Sequence, residues 1–403
     1  MLYALGAGVH SRYRLEDDVD VREINYYIET CSRFEEKTGI IAYPASIPAL
    51  SDHEFWYKVK RLIAKNESPD VLFTHYSWFA DAIKSDLLLD LRPYLNKLGL
   101  LEDDFYPSSI AQCESDGRLL VLPRETSSIV LYFNRSLFEE KGLPTPDTLF
   151  QEGRWTWDAF LELAKSLSGD GNYGCIAPVN VPYAMLPLIR SFGGHIFNET
   201  QERCTFDSKK TVGALEFIEE MVQKGYALDP AVTRRENLFA QGRVGMVFSG
   251  FWEIAVLEQK GVTFEWDITH LPKGEKRVTR VATGGYAIPK ASLRRDEALC
   301  FVKHVLELSE LEELAGLGVI LPARVKATKQ IESLGRNGRP RNSRVFLEAL
   351  NYGEPDPMMD GWPDMIEVID EAFKTVWTGE RRAVEVCRDV TRAVNDILAA
   401  RQI

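Results

Sequence analysis

Ile129-Val-Leu-Tyr-Phe133 is an unbroken apolar run of five residues, rich in β-branched and aromatic types. Such a run suits a strand buried on both faces. Asn134 ends it, and residues 135–141 read as a short helix stopped by Gly142 and Pro144. A second helix is predicted from Thr156, an N-cap type, with Asp158 where the helix dipole favours negative charge. Five hydrogen-bonding side chains, residues 124–128, precede the strand. Polar groups entering a buried strand point to a domain crossing or a ligand cleft; a plain polar strand edge accounts for them equally well.

Elsewhere, residues 71–74 follow a Pro-Asp turn and read as a strand, and Ser77 is placed to cap a helix over 78–84. Residues 211–224 put Leu215, Ile218 and Val222 on one helical face, with Gly225 as terminator. Amphipathic helices are also predicted over 297–306 and 383–400, the latter burying Cys387, Val390, Val394 and Ile397. Residues 2–5 form a weak strand pattern. Strands alternating with amphipathic helices are the signature of α/β layers.

A chain of 403 residues exceeds the usual size of one hydrophobic core, so two domains are expected. The net charge of −12 argues against a nucleic-acid partner, which needs a basic face. The one basic cluster, Arg336, Arg339, Arg341 and Arg344, lies among Gly, Pro and Asn and reads as a solvated loop. No apolar run reaches the roughly 18 residues that span a membrane. The first residues lack a basic n-region and a long h-region, so no signal peptide is read there, and the compartment stays open. The six cysteines are scattered without a C-x-x-C pair, which argues against zinc. Six unpaired thiols would be unusual in an oxidising compartment, and buried free cysteines are the expected account.

Catalytic motifs are absent. The six histidines form no H-E-x-x-H, and there is no G-x-S-x-G and no P-loop. Residues 170–174 read as a β-turn before a strand rather than a calcium loop. No metal and no cofactor are expected. Carboxylates are plentiful, but nothing selects a glycosidase pair.

One ordered set of short motifs carries a resemblance. It runs from Gly117 through Leu122-Pro123, the polar cluster, the apolar strand, Tyr132, Asn134, Leu137-Phe138, Gly142-Leu143-Pro144 and Trp157-Asp158. The set resembles the extracellular solute-binding proteins of family 1, the sugar receptors of ABC importers. The stretch over 69–91 fits the same family, and residues 242–249 resemble its G-x-[AV]-[AG]-M strand. Residues 283–288 resemble the Gly-rich strand by which that family's chain re-enters its first domain. The resemblance covers about residues 35–400 and departs at the start, so contacts from the family's first loop are not carried over.

The resemblance implies two α/β lobes of the periplasmic-binding-protein type II, with a ligand cleft and about three hinge crossovers. These are placed near Glu125, near residues 267–272 and near residues 309–316. Lobe 1 is then 1–125 plus 270–312, and lobe 2 is 126–269 plus 313–403. Hinge closure around the ligand is the expected motion. The implied function is capture of a mono- or oligosaccharide for delivery to ABC permease subunits, by a monomer that is not an enzyme. An extracytoplasmic place, periplasmic or lipid-anchored, follows from the family, and a cytoplasmic one from the missing leader. A cytoplasmic carbohydrate-sensing effector domain of a regulator is the alternative, and a glycan-active enzyme the remote one.

A sugar presents hydroxyls and an apolar C–H face, so its site needs flat aromatics and planar polar groups. Trp252, after a strand end and a glycine, matches the family's sugar-stacking Trp. Trp362, before a long helix, Trp78 at a loop rim, and Tyr183 are further aromatic candidates. Gly284 and Gly285 permit close backbone approach to a ligand, with Tyr286 beside them. Arg124 and Glu125 at the first crossover suit paired hydrogen bonds, the competing reading being an ion pair tying the hinge. Arg324, in Leu-Pro-Ala-Arg, resembles another family segment. Trp155 and Trp157 are assigned to packing the helix entry.

Overall fold

The apolar runs pair into two sheets, each carrying its own helices. The computed structural model describes residues 2–7, 21–47, 52–75, 86–228, 238–329, 331, 338–359 and 361–400. In chain order the strands are β1 (Leu2–Ala7), β2 (Ala42–Ile47), β3 (Val71–His75), the short β4 (Glu114–Ser115) and β5 (Arg118–Leu119), and β6 (Leu122–Ser128). There follow β7 (Val130–Asn134), β8 (Tyr173–Ile176), β9 (Ala227–Leu228), β10 (Val244–Ser249), β11 (Trp266–Thr269), β12 (Thr279–Ala287), β13 (Leu321–Pro322) and β14 (Gly353–Glu354).

The chain divides into two units. Met1–Ser127, Ile254–Val256 and Val281–Leu334 form the first; Ser128–Glu253, Leu257–Arg280 and Gly335–Ile403 form the second. Two of the expected crossovers fall elsewhere. Residues 267–272 stay in the second unit because β11 is hydrogen-bonded into its sheet, and the chain changes unit later, within β12. Residues 309–316 lie inside the helix Leu308–Gly316 of the first unit, which continues to Leu334.

In the first unit the strand order is β13-β6-β12-β3-β1-β2. β1 runs parallel to β2 and β3, whereas β12 is antiparallel to β3, with Tyr286 opposite Phe73 and Gly285 opposite Thr74. The helix Val21–Thr38 buries Tyr26, Thr30 and Phe34, spaced four apart on one face, and Phe34 meets Phe301 edge-on at 5.2 Å. A buried carboxylate pins that helix to its neighbours. Glu310 accepts from Thr30 at 2.6 Å, Arg33 at 2.7 Å and Tyr26 at 3.0 Å. Burial pushes the Glu310 carboxyl up, but the bonds from Arg33 and Thr30 outweigh it and hold it below its ordinary value.

In the second unit the order is β11-β7-β10-β8-β9. β7 lies between β10 and β11, antiparallel to both, and all five of its residues are buried, which is why its sequence shows no alternation. Thr156 caps the helix Trp157–Leu167 through its hydroxyl and the Ala159 amide. The helix expected over 211–224 runs Lys209–Gln223, because Ser208 supplies the cap. It packs with Trp362–Trp377 and Ala383–Ala400. Cys387, Val390 and Val394 are buried as expected, but Leu398 is buried and Ile397 only half-buried. Trp155 and Trp157 serve packing: their indole N–H groups donate to the His270 carbonyl and the Ser191 hydroxyl, at 2.8 and 2.9 Å.

All six cysteines are free, five of them buried. Burial pushes the Cys31 and Cys204 thiols up to about 11 and Cys387 up to about 12, so they stay protonated and unreactive. The arginine loop is only partly solvated: Arg339 and Arg341 both pair with Glu265 at 2.9 Å, while Arg336 lies outside the described residues. Among the described residues no helix is long and apolar enough to cross a membrane.

His270 gives the second unit a pH dependence. It lies buried against the Phe150 ring at 4.3 Å, with Nε2 3.1 Å from Glu348 and Nδ1 bonded to the Tyr352 hydroxyl. Burial, then the charge of Arg277, lowers its pKa from 6.5. The unfolded chain therefore takes up the proton first, and stability is full above about pH 6.5 and falls as the pH drops below it. His270→Gln should flatten the fall in melting temperature between about pH 7 and 5. An unchanged slope would remove His270 from the account.

Candidate ligand-binding site

The second unit holds an aromatic corner at the end of β10. Ser249 closes the strand, and Gly250-Phe251 leads to Trp252. Tyr132, in the adjacent strand β7, donates to the Gly250 carbonyl at 2.7 Å. Burial pushes the Tyr132 phenol well above its ordinary value, so it remains a donor and fixes this backbone. An added Cβ at Gly250 would lie 2.2 Å from Cζ3 of Trp252, whose ring covers the glycine, so a larger residue would displace the indole. Phe251 turns inward, 1% exposed and edge-on to Phe346 at 5.0 Å, which sends Trp252 the other way, half-buried.

Tyr183 meets Trp252 at 5.8 Å with the rings at 80°. It sits in a π-helical turn, Val181–Met185, where the Asn180 side chain accepts from its backbone N–H at 3.1 Å. Such turns recur at functional sites because they re-aim one side chain. Behind Tyr183 lies Arg280, its guanidinium carbon 4.6 Å from the ring centroid. Asp356 receives Arg280 as a fork, Nε to Oδ1 at 2.9 Å and Nη2 to Oδ2 at 2.6 Å. Two aromatic rings at a right angle over a planar ion pair offer stacking faces beside polar groups.

In the first unit, Arg124 and Glu125 form the ion pair that was the competing reading. Arg124 is 2% exposed, with its guanidinium carbon 4.0 Å over the Phe73 ring. It donates through Nε to Glu125 at 2.9 Å, bonds the Tyr27 hydroxyl, and reaches Glu23 at 3.4 Å. Burial works against its charge, but Glu125 foremost outweighs that, and the guanidinium stays ionised. Arg124 is thus held inside the unit, and Glu125 is occupied in holding it.

Five of the expected residues are buried among protein neighbours. Trp362 is 2% exposed, edge-on to Phe197 at 5.9 Å within the second unit's core, so it presents no face to a ligand. Tyr286, 2% exposed, packs on Phe73 at 5.5 Å. Gly285 admits a neighbouring strand rather than a ligand: its Cβ would meet the Leu122 carbonyl at 2.2 Å. Arg324 donates to the Leu306 carbonyl at 2.8 Å and lies 3.6 Å from Asp104, a structural tie. Gly284 is buried in the same strand, opposite His75. Trp78 lies outside the described residues.

Of the expected residues, the structure brings Trp252 and Tyr183 together. Arg280 and Asp356 were missed, being 76 positions apart and in no motif. The available signal was an arginine standing in a strand otherwise rich in apolar and small residues. Among the described residues no group of His, Cys, Asp or Glu could hold a metal ion.

The profile of the family described as bacterial extracellular solute-binding protein matches residues 26–307. The galactooligosaccharide-binding protein of Bacillus subtilis is 24% identical over 77% of this chain and 73% of its own. Among solved structures, an ABC substrate-binding protein of Listeria monocytogenes in complex with cycloalternan superposes with a TM-score of 0.83. It is 20% identical and covers 99% of this chain and 98% of that one. UgpB from Mycobacterium tuberculosis, in complex with glycerophosphocholine, gives a TM-score of 0.80 at 18% identity, covering 100% and 99%. The fold is that of the type II periplasmic binding proteins.

Proposed function

From a chain that belongs to the bacterial extracellular solute-binding protein family, we propose capture of a carbohydrate, mono- or oligosaccharide, for delivery to an ABC permease. The observation that carries this reading is the corner of Trp252 and Tyr183, rings 5.8 Å apart at 80°. Flat, half-exposed aromatic faces suit the C–H surfaces of a pyranose. The relatives and neighbours that bind galactooligosaccharide and cycloalternan support the ligand class. The proteins of the family and its structural neighbours are binding proteins, and binding without turnover is the role proposed here.

The reading includes closure of the two units on the ligand, work as a monomer, and a place outside the cytoplasm. Buried, protonated thiols suit such a place, since they resist the oxidation that exposed ones would undergo. A thermal-shift screen across mono- and oligosaccharides tests the reading. A ligand at 100 times its Kd stabilises the folded chain by roughly 2.7 kcal/mol. A rise with at least one neutral sugar is expected; no rise with any sugar would count against a carbohydrate ligand.

A further inference from the structure

The charged pair behind the aromatic corner has a consequence for which carbohydrate it takes. Arg280 is 8% exposed and Asp356 3%, and the fork between them uses the Nε and Nη2 edge of the guanidinium. That edge is one of the two with which an arginine grips a carboxylate or a phosphate. The nearby Glu354, register partner of Arg280 in β14, holds Lys276 at 2.6 Å and Arg190 at 3.3 Å. We propose that Asp356, by neutralising Arg280 behind Tyr183, makes this corner select neutral sugars over acidic ones. Asp356 is then a positioning residue that sets specificity through Arg280. The inference rests on the carbohydrate reading.

The physical reason is desolvation. An anionic ligand entering the corner sheds water and finds a cation already matched by a carboxylate. A neutral sugar sheds only hydroxyl hydration and keeps the stacking faces of Trp252 and Tyr183. Had Arg280 stood without Asp356, the same corner would favour uronates or phosphodiesters.

Titration calorimetry of the purified chain tests this, with maltotriose and galactobiose as neutral probes, digalacturonate as the anionic one and the zwitterion glycerophosphocholine as a probe that is no sugar. The readout is the ratio of neutral to anionic affinity. In the wild type it should be about tenfold or more. Asp356→Asn, taking the carboxylate charge out of the fork with Arg280, should lower the ratio about tenfold. Arg280→Gln, leaving a net negative charge, should raise it, and this opposite sign carries the test if Asp356→Asn does not fold. A purely structural role would weaken both probe classes alike and leave the ratio unchanged, which would overturn the proposal. Wild-type binding of digalacturonate as tight as that of the neutral probes overturns it too, while the carbohydrate reading stands. Binding of glycerophosphocholine alone, or of no probe at all, overturns the carbohydrate reading and this inference with it.

Discussion

Trp252→Ala is expected to abolish the carbohydrate-induced rise in melting temperature while the unliganded chain stays folded. The indole is half-buried, lies over Gly250 and meets Tyr183 edge-on. Its removal takes away a stacking face without opening the core beneath, because Phe251 and Tyr132 hold the strand end independently. Aromatic contacts are worth about 0.5–1.5 kcal/mol beyond the area they bury. Together with that area, the loss is expected to reach about 100-fold in affinity, or about 2.7 kcal/mol. Circular dichroism and melting without ligand separate this from misfolding. An affinity unchanged in a folded variant would remove Trp252 from the site. Tyr183→Ala should weaken binding in the same direction, by less.

Arg124→Ala is expected to destabilise the first unit by about 3–5 kcal/mol, the cost of breaking a buried ion pair from one side. The guanidinium stacks on Phe73, bonds Tyr27 and separates two carboxylates, Glu125 and Glu23, whose side chains are 16% and 13% exposed. Without it those carboxylates face each other in a poorly hydrated place. Arg124→Lys should recover only part of the loss, since an ammonium cannot both stack and fork. Removing Glu125 together with Arg124 should cost less than removing Arg124 alone. Urea unfolding measures all three variants. A loss within about 0.5 kcal/mol for Arg124→Ala, the range of ordinary surface changes, would show that the network contributes nothing.

Local chemistry made much of the fold legible. The apolar run Ile129–Phe133 had to be a strand buried on both faces, and the structure puts β7 between two antiparallel partners. Thr156 and the glycine after Lys224 marked helix ends by rules that act within a few residues. The crossings were harder. Nothing near residue 309 says that the helix Leu308–Gly316 belongs with the first unit; the bonds from Tyr26, Thr30 and Arg33 to Glu310 come from some 280 positions away.

Each candidate residue was legible in proportion to how locally its exposure is decided. Trp252 follows a strand end and a glycine, which turns it outward over Gly250. Trp362 looks similar on paper, after Met-Asp-Gly, yet the helix it opens lays the indole on Phe197 in the core. Tyr286 and Arg324 likewise carry the right chemistry and spend it inside the first unit. Arg280 and Asp356 came together only through the pairing of β12 with β14, which no motif announces.

The central claim is capture of a sugar without turnover, and titration calorimetry of the purified chain tests it most directly. The sugar that gives the largest thermal shift should bind at one molecule per chain, with each heat pulse returning to baseline. A heat that persists after every injection would mean that the sugar is being consumed. No binding heat with any neutral sugar would contradict the capture itself.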